Sequence, residues 1–458
     1  MRHTFDAIVV GAGQAGPSLA VRLAGAGWKV AMVERDLFGG TCVNNGCTPT
    51  KAMVASAHAA HLARRAADFG VRAGPVSINL AEVMARKDAI VFKSRTSVEK
   101  WLRGTKNCTV FNGAAVFESA HTLRVGDDLL EAANIFLNVG ARPAIPDMPG
   151  ADSVPFLTST TILELKELPQ ELIVVGGGYV GLEFAQMFRR FGSEVAVVDK
   201  NPRLAIHEDE DASSGIREVL SAEGITVRLS ATCIRLERQG SQIAVGLDCS
   251  EGTPLIAGSH VLLAVGRTPN TADLNLAAAG IEADAAGYIP VDDQLRTAAA
   301  GVYALGDCNG RGAFTHTSYN DYEIVAGNLL DGANRRVSDR IPASALYIDP
   351  PLARVGMPEA EVRKTGRSAL VGMRQMTRVS RAIEKGETFG FIKLLVDAQT
   401  QHILGATVFG TGADEAIHCI LTAMYARQPV SLLTHSVHIH PTVAELIPTV
   451  AGELKPLE

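Results

Sequence analysis

The chain has 458 residues, 47% of them hydrophobic and 20% charged, with a net charge of −6. That length predicts two to four domains with large cores, and an acidic balance without a long basic run excludes a nucleic-acid-binding face. No apolar run approaches the roughly 20 residues that cross a bilayer, and the N-terminus passes straight into a buried-strand pattern, so neither a membrane span nor a signal peptide is expected.

The first predicted element is the β-branched run of "DAIVVGAGQAG", residues 6–16. It leads into Gly11-x-Gly13-x-x-Gly16 and a helical pattern, then a second apolar run, "KVAMVE", that ends at Glu34. The whole unit recurs as "LIVVGGGYVG" with Gly176, Gly178 and Gly181, a helical stretch, and "EVAVVD" ending at Asp199. In both copies the acid falls 18 residues after the third glycine. The first glycine of such a motif makes a tight turn, the second admits a pyrophosphate, and the third lets helix and strand pack closely. The acid accepts hydrogen bonds from a ribose hydroxyl. One such motif is weak evidence, but two with matched acids predict two dinucleotide sites.

Between the copies lies "GGTCVNNGCTPTK", residues 39–51, with four residues between Cys42 and Cys47. Spacing alone leaves three readings open: a metal pair, a structural staple, or a redox dithiol. C-x4-C without a further Cys or His cluster is poor zinc spacing, so no metal site is expected. Pro49 suits the first turn of the helical pattern that follows. Cys47 would then lie at a helix N-terminus, which favours its thiolate, and Lys51 adds positive charge one turn on. The other five cysteines (Cys108, Cys233, Cys249, Cys308 and Cys419) lack motif spacing and read as small buried hydrophobes, which predicts a reducing, cytoplasmic location.

A mixed region closes with "IFLNVGARPAIPDMPG", and a similar strand and turn, "HVLLAVGRTPN", follows the second motif. Next come "GVYALGDCNG", with Gly306 and Asp307, and a C-terminal region of strands and helices without nucleotide motifs. Boundaries are expected near residues 148, 270 and 342. Near the end, "HIHPTVAE" holds His440 and Glu445, whereas His438 reads as structural.

Two Gly-x-Gly-x-x-Gly units, GGTC-x4-C-x-P-x-K between them and Gly-Asp near 306 resemble the flavin-dependent pyridine-nucleotide disulfide oxidoreductases. That family includes dihydrolipoamide dehydrogenase, glutathione reductase, mycothione reductase and mercuric reductase. The resemblance covers the whole chain. It implies an α/β fold with two Rossmann-like domains, for FAD (1–148) and NAD(P) (149–270). A central segment (271–341) completes the FAD site, and a C-terminal α+β dimerisation domain (342–458) follows. It implies that Gly11, Gly13, Gly16, Glu34, Gly40, Thr41, Gly140, Gly306 and Asp307 hold FAD, and that Gly176, Gly178, Gly181, Asp199 and Gly266 hold NAD(P)H. Lys51 would pair with Glu183 beside the flavin. Cys47 would face the flavin while Cys42 attacks substrate, and His440 with Glu445 would form an acid–base dyad given across a homodimer.

The dyad points to a small-molecule disulfide as substrate, because a departing thiolate needs a proton. The alternatives are reduction of a mercuric or cupric ion by the same dithiol, or oxidation of a dihydrolipoyl group. A vicinal cysteine pair at the C-terminus, expected of mercuric reductases, is missing: the chain ends "AGELKPLE". Asp199 favours NADH, with Lys200 and Arg203 as cations able to accommodate NADPH. Substrate specificity is expected from His58, His61 and Arg64 on the helix after Cys47, and from Gln14 and Ser18.

Overall fold

The computed structural model describes residues 1–248 and 254–458. The two sequence repeats become two sheets of the same order. In the first, the strand Arg2–Val10 lies between Val30–Glu34 and Asp128–Leu137, all parallel, with Cys108–Asn112 beyond. In the second, Glu171–Val175 lies between Glu194–Val198 and His260–Leu263, again parallel, with Thr226–Arg228 beyond. Val30–Glu34 is buried at every position, which is why it reads as an unbroken apolar run rather than an alternating one.

Residues 271–341 return to the first sheet, where Val302–Ala304 pairs parallel with Asp128–Leu137. The chain passes between the two sheets through an antiparallel ribbon, Ala141–Pro143 against Arg267–Pro269. The second unit also carries a small antiparallel sheet of strands Arg235–Gln239, Gln242–Gly246 and Leu255–Gly258.

The C-terminal region is a six-stranded antiparallel sheet whose central strands, Phe391–Asp397 and Ile403–Phe409, are buried throughout. Lys393 sits in that core at 2% exposure. A lone buried ammonium would be costly, but Asp209 at 2.9 Å and Asp211 at 2.7 Å surround it together with Glu359 at 3.3 Å. Two of those acids come from the second unit, so the charge set fixes that unit against the C-terminal sheet.

Candidate active site

Both glycine turns are held by the same contacts. Gly11 and Gly176 have φ of 101° and 117°, conformations that L side chains rarely adopt. A Cβ on Gly11 would overlap the carbonyl of Asn138, and one on Gly176 that of Ala264. Gly16 and Gly181 lie against the carbonyls of Gly11 and Gly176 in the same way. The acids repeat the pattern. Glu34 accepts from the amides of Ala12 at 2.6 Å and Asp36 at 2.9 Å, and Asp199 from those of Gly177 and Asn201.

A cavity of about 1090 Å³ opens from the first turn. Gly11, Gly13, Glu34, Gly40, Thr41, Gly140 and Asp307 line it, and so do Cys42, Cys47, Lys51 and Glu183. The Gly39–Gly40 loop seats on the turn through the Gly39 amide, which donates to Ala12 O at 2.8 Å. Burial pushes the Asp307 carboxyl up, with Arg267 at 3.4 Å pulling the other way. Four buried side-chain polar atoms among the described residues make no hydrogen bond, and three of them (Asn45 Oδ1, Arg340 Nη1 and Arg267 Nε, the last held only by its 3.4 Å ion pair) belong to residues of this cavity wall. A polar cradle with unspent hydrogen-bonding capacity, running from a glycine turn to a dithiol, fits a flavin dinucleotide.

The helix Cys47–Arg64 starts at Cys47 itself, and Cys42 lies in the short preceding helix Gly40–Asn44. Both thiols are free. Their proton affinities are driven apart. The hydrogen bond with Cys42 does most to bring Cys47 down to about 6. Burial and the Glu183 charge oppose that shift, while the Thr315 hydroxyl and the Lys51 charge add to it. Cys42 is pushed well above the usual thiol range, first by its bond to Cys47 and then by burial. Thr315 Oγ1 lies 3.3 Å from Cys47 Sγ. Lys51 Nζ donates to both oxygens of the buried Glu183, at 2.9 and 2.7 Å, and lies 4.7 Å above the Tyr347 ring.

A thiol with a lowered pKa is thiolate above that value and is protonated as pH falls through it. The absorbance of a Cys47 thiolate against flavin in the two-electron-reduced enzyme should therefore fade on acidification through about pH 6. Thr315→Val removes one charge-assisted bond and should move that midpoint up by about one pH unit. An unmoved midpoint would mean that the hydroxyl does not stabilise the thiolate.

The second turn lies outside this cavity, but the helix it opens does not. Tyr179 and Val180, the first residues of the helix Tyr179–Phe191, line the cavity wall beside Glu183. Arg203 Nη2 donates to Ile206 O at 3.1 Å, and Lys200 is exposed.

His440 and Glu445 meet, with Nδ1 and a carboxylate oxygen 2.9 Å apart, but neither lines the cavity. The segment is strongly exposed: Val437 at 99%, Ile439 at 79% and the His440 side chain at 72%. His438 bonds Ala444 O at 3.0 Å within its own turn.

Several expectations need correction. His58, His61, Arg64 and Ser18 do not line the cavity, and of the named specificity residues only Gln14 does. His58 bonds Asp349 at 2.9 Å and Arg64 donates to Arg190 O, because that face of the helix packs on Tyr179–Phe191. Cys233 is disulfide-bonded rather than a buried free thiol, and Cys249 lies outside the described residues. Cys308 is free and fully buried, while Cys108 and Cys419 are free and half-buried. Thr315, Tyr347, Asn138 and Arg267 were missed. None carries a spacing signal, although Thr315 opens a helix and Arg267 follows Gly266.

The family model described as pyridine nucleotide-disulphide oxidoreductase matches residues 5–321, and that family's dimerisation domain matches residues 342–451. The chain is 36% identical over 452 residues to the probable pyridine nucleotide-disulfide oxidoreductase RclA of Escherichia coli, covering 97% of this chain and 98% of that one. It is 33% identical to a mercuric reductase of Streptomyces lividans, covering 97% and 95%. Among solved structures it is similar to the Cu(II) complex of HOCl-induced flavoprotein disulfide reductase RclA from Escherichia coli. The TM-score is 0.90, with 34% identity over 98% of this chain and 99% of that one. The chain therefore belongs to the pyridine nucleotide-disulphide oxidoreductase family, as an FAD flavoprotein and NAD(P)H-dependent disulfide reductase with the family's dimerisation domain.

Proposed function

We propose that the chain reduces a small-molecule disulfide through Cys42 and Cys47, with His440 and Glu445 supplied by the partner subunit of a homodimer. The observation that carries this reading is the placement of the two thiols in one cavity wall, with Cys47 at a helix start, 3.3 Å from the Thr315 hydroxyl and one turn from the Lys51–Glu183 pair. That setting lowers the Cys47 pKa and leaves Cys42 the thiol that a base must deprotonate. Gly11, Gly13, Glu34 and Asp307 would hold FAD, which would supply two-electron transfer between NAD(P)H and the cysteine disulfide. Asp199, with both carboxylate oxygens fixed by backbone amides, accepts a ribose 2′-hydroxyl and repels a 2′-phosphate, which favours NADH.

From the reduced pair, Cys42 gives its proton to the imidazole and its sulfur attacks the substrate disulfide. The first thiolate leaves with a proton from that imidazole. Cys47 then attacks the Cys42 sulfur, the second thiol leaves, and the Cys42–Cys47 disulfide re-forms. The sum is one disulfide, one NAD(P)H and one proton converted to two thiols and NAD(P)⁺. The exposed apolar residues Val437 and Ile439 beside His440 are suited to cover by a second copy. No helix among the described residues is long and apolar enough to cross a membrane, in keeping with the cytoplasmic location proposed here.

A second reading is reduction of a metal ion by the same dithiol. It is favoured by the mercuric reductase relatives and by the copper named in the RclA complex. A panel of oxidised low-molecular-weight thiols and Cu(II) or Hg(II) salts, assayed with NADH and NADPH, separates the two. Disulfide-driven coenzyme oxidation with two thiols formed per NAD(P)H is expected. Oxidation driven only by metal salts would replace the first reading with the second.

A further inference from the structure

The segment Tyr347–Asp349 of the C-terminal domain touches two helices at once. From the helix Tyr179–Phe191, Glu183, Gln186 and Arg190 project along one buried stripe. The Tyr347 amide donates to Glu183 Oε1 at 3.0 Å, and the Tyr347 ring underlies Lys51. Asp349 then locks the segment in place. Its amide donates to Gln186 Oε1 and its carbonyl accepts from Gln186 Nε2, both at 2.7 Å. One carboxylate oxygen takes Arg190 Nη1 at 2.6 Å and lies 2.9 Å from His58 Nδ1 on the cysteine-bearing helix. Arg190 is itself clamped by Glu223 at 2.7 and 2.9 Å.

We infer that Asp349 is a positioning residue. By anchoring Tyr347 it fixes the Lys51–Glu183 pair beside Cys47, so a side chain bonded to His58, three helical turns along from Cys47, sets the proton affinity of that thiol. The inference rests on the redox reading of Cys47 given above. Distance along the helix is about 16 Å from Cys47 to His58, too far for direct contact, so the effect passes through Tyr347 and Lys51. Within that pair Lys51 holds the Cys47 thiol down and Glu183 pushes it up, so the hold of Glu183 on Lys51 and the placement of both charges set the balance at Cys47.

His58 adds a pH-dependent strand to the anchor. The groups facing it are the carboxylates Asp349 and Glu387 and the guanidinium of Arg190, and the Asp349 bond raises its pKa. A raised histidine keeps its charged bond at low pH and loses the charge as pH rises through its pKa. The anchor is thus tighter in acid.

The test titrates the thiolate–flavin absorbance of two-electron-reduced holoenzyme, with melting temperature and flavin content recorded alongside. Asp349→Asn is expected to weaken the hold of Lys51 and to raise the proton affinity of Cys47 about threefold or more. His58→Asn should give a smaller loss of thiolate near about pH 6 that vanishes by about pH 9. A lower melting temperature with an unmoved midpoint would show a merely structural tie and overturn the inference. If Asp349→Asn fails to fold, His58→Asn on its half-exposed site decides alone, and a profile superimposable on wild type overturns it. Absence of the absorbance in the wild type would instead refute the redox reading of Cys47. A wild-type band with unmoved variants refutes only the role of Asp349.

Discussion

Cys42→Ser is expected to abolish disulfide turnover by roughly 10⁴-fold or more, the scale on which loss of a nucleophile acts, while flavin reduction by NAD(P)H continues at the wild-type rate. The serine keeps the size and hydrogen-bonding capacity of the thiol, so the fold and the cavity are retained. What disappears is the sulfur that enters the mixed disulfide. The serine hydroxyl can still donate to Cys47, and Thr315 and Lys51 still favour its thiolate, so its absorbance against flavin should persist with its midpoint still at about 6. Stopped-flow reduction followed by steady-state assay separates the half-reactions. Turnover within tenfold of wild type would assign the attack to another group. Loss of both half-reactions would place Cys42 in the cofactor site instead. The reciprocal change, Cys47→Ser, should remove the absorbance and trap the mixed disulfide on Cys42.

His440→Gln is expected to cost between about 10² and 10⁴ in disulfide turnover, the range for a positioned acid–base group. The reason lies in Cys42. Its thiol is held well above the usual range, so attack needs a base to take the proton and the leaving thiolate needs an acid to return it. The dyad is assembled within one chain at 2.9 Å but stands outside that chain's cavity, the placement that the proposed donation to a second copy requires. That geometry has its own readout. Homodimers of Cys42→Ser and of His440→Gln should each be nearly inactive. Subunit exchange between them should restore roughly a quarter of wild-type activity, because half of the mixed population carries one intact site. No recovery on exchange would place acid, base and nucleophile in one subunit. A variant that loses disulfide turnover but keeps metal-driven NAD(P)H oxidation would also show that the imidazole serves sulfur leaving groups alone.

The parts of this molecule that were legible in its sequence are those fixed by local backbone geometry. Gly11 and Gly176 announce their turns because their φ values exclude most side chains, and Glu34 and Asp199 follow at a set spacing because one strand–helix–strand unit has a set length. Cys47 was readable because a helix begins at it. What was not legible depends on chain crossings. Thr315 meets Cys47 across 268 residues, and Tyr347 reaches Glu183 across 164, with no motif at either end. His58, His61 and Arg64 were misjudged because only the first turns of the Cys47–Arg64 helix border the cavity, the rest being packed on neighbouring helices. The disulfide at Cys233 was invisible because spacing does not reveal a pairing.

The two-stranded ribbon of Ala141–Pro143 against Arg267–Pro269 means that the chain leaves the first unit and re-enters it at a single doorway. Everything between those strands, the whole of the second unit, is an insertion whose ends already lie side by side. Such a piece can be exchanged with the first sheet left continuous, provided the exchange keeps the charge set around Lys393 and the helix Tyr179–Phe191, whose Glu183 and Arg190 bond Lys51 and Asp349. The coenzyme preference proposed for Asp199 and the surroundings of Cys47 therefore meet at that one helix, so the rest of the insertion can be re-engineered, or can drift in evolution, while the dithiol keeps its neighbours.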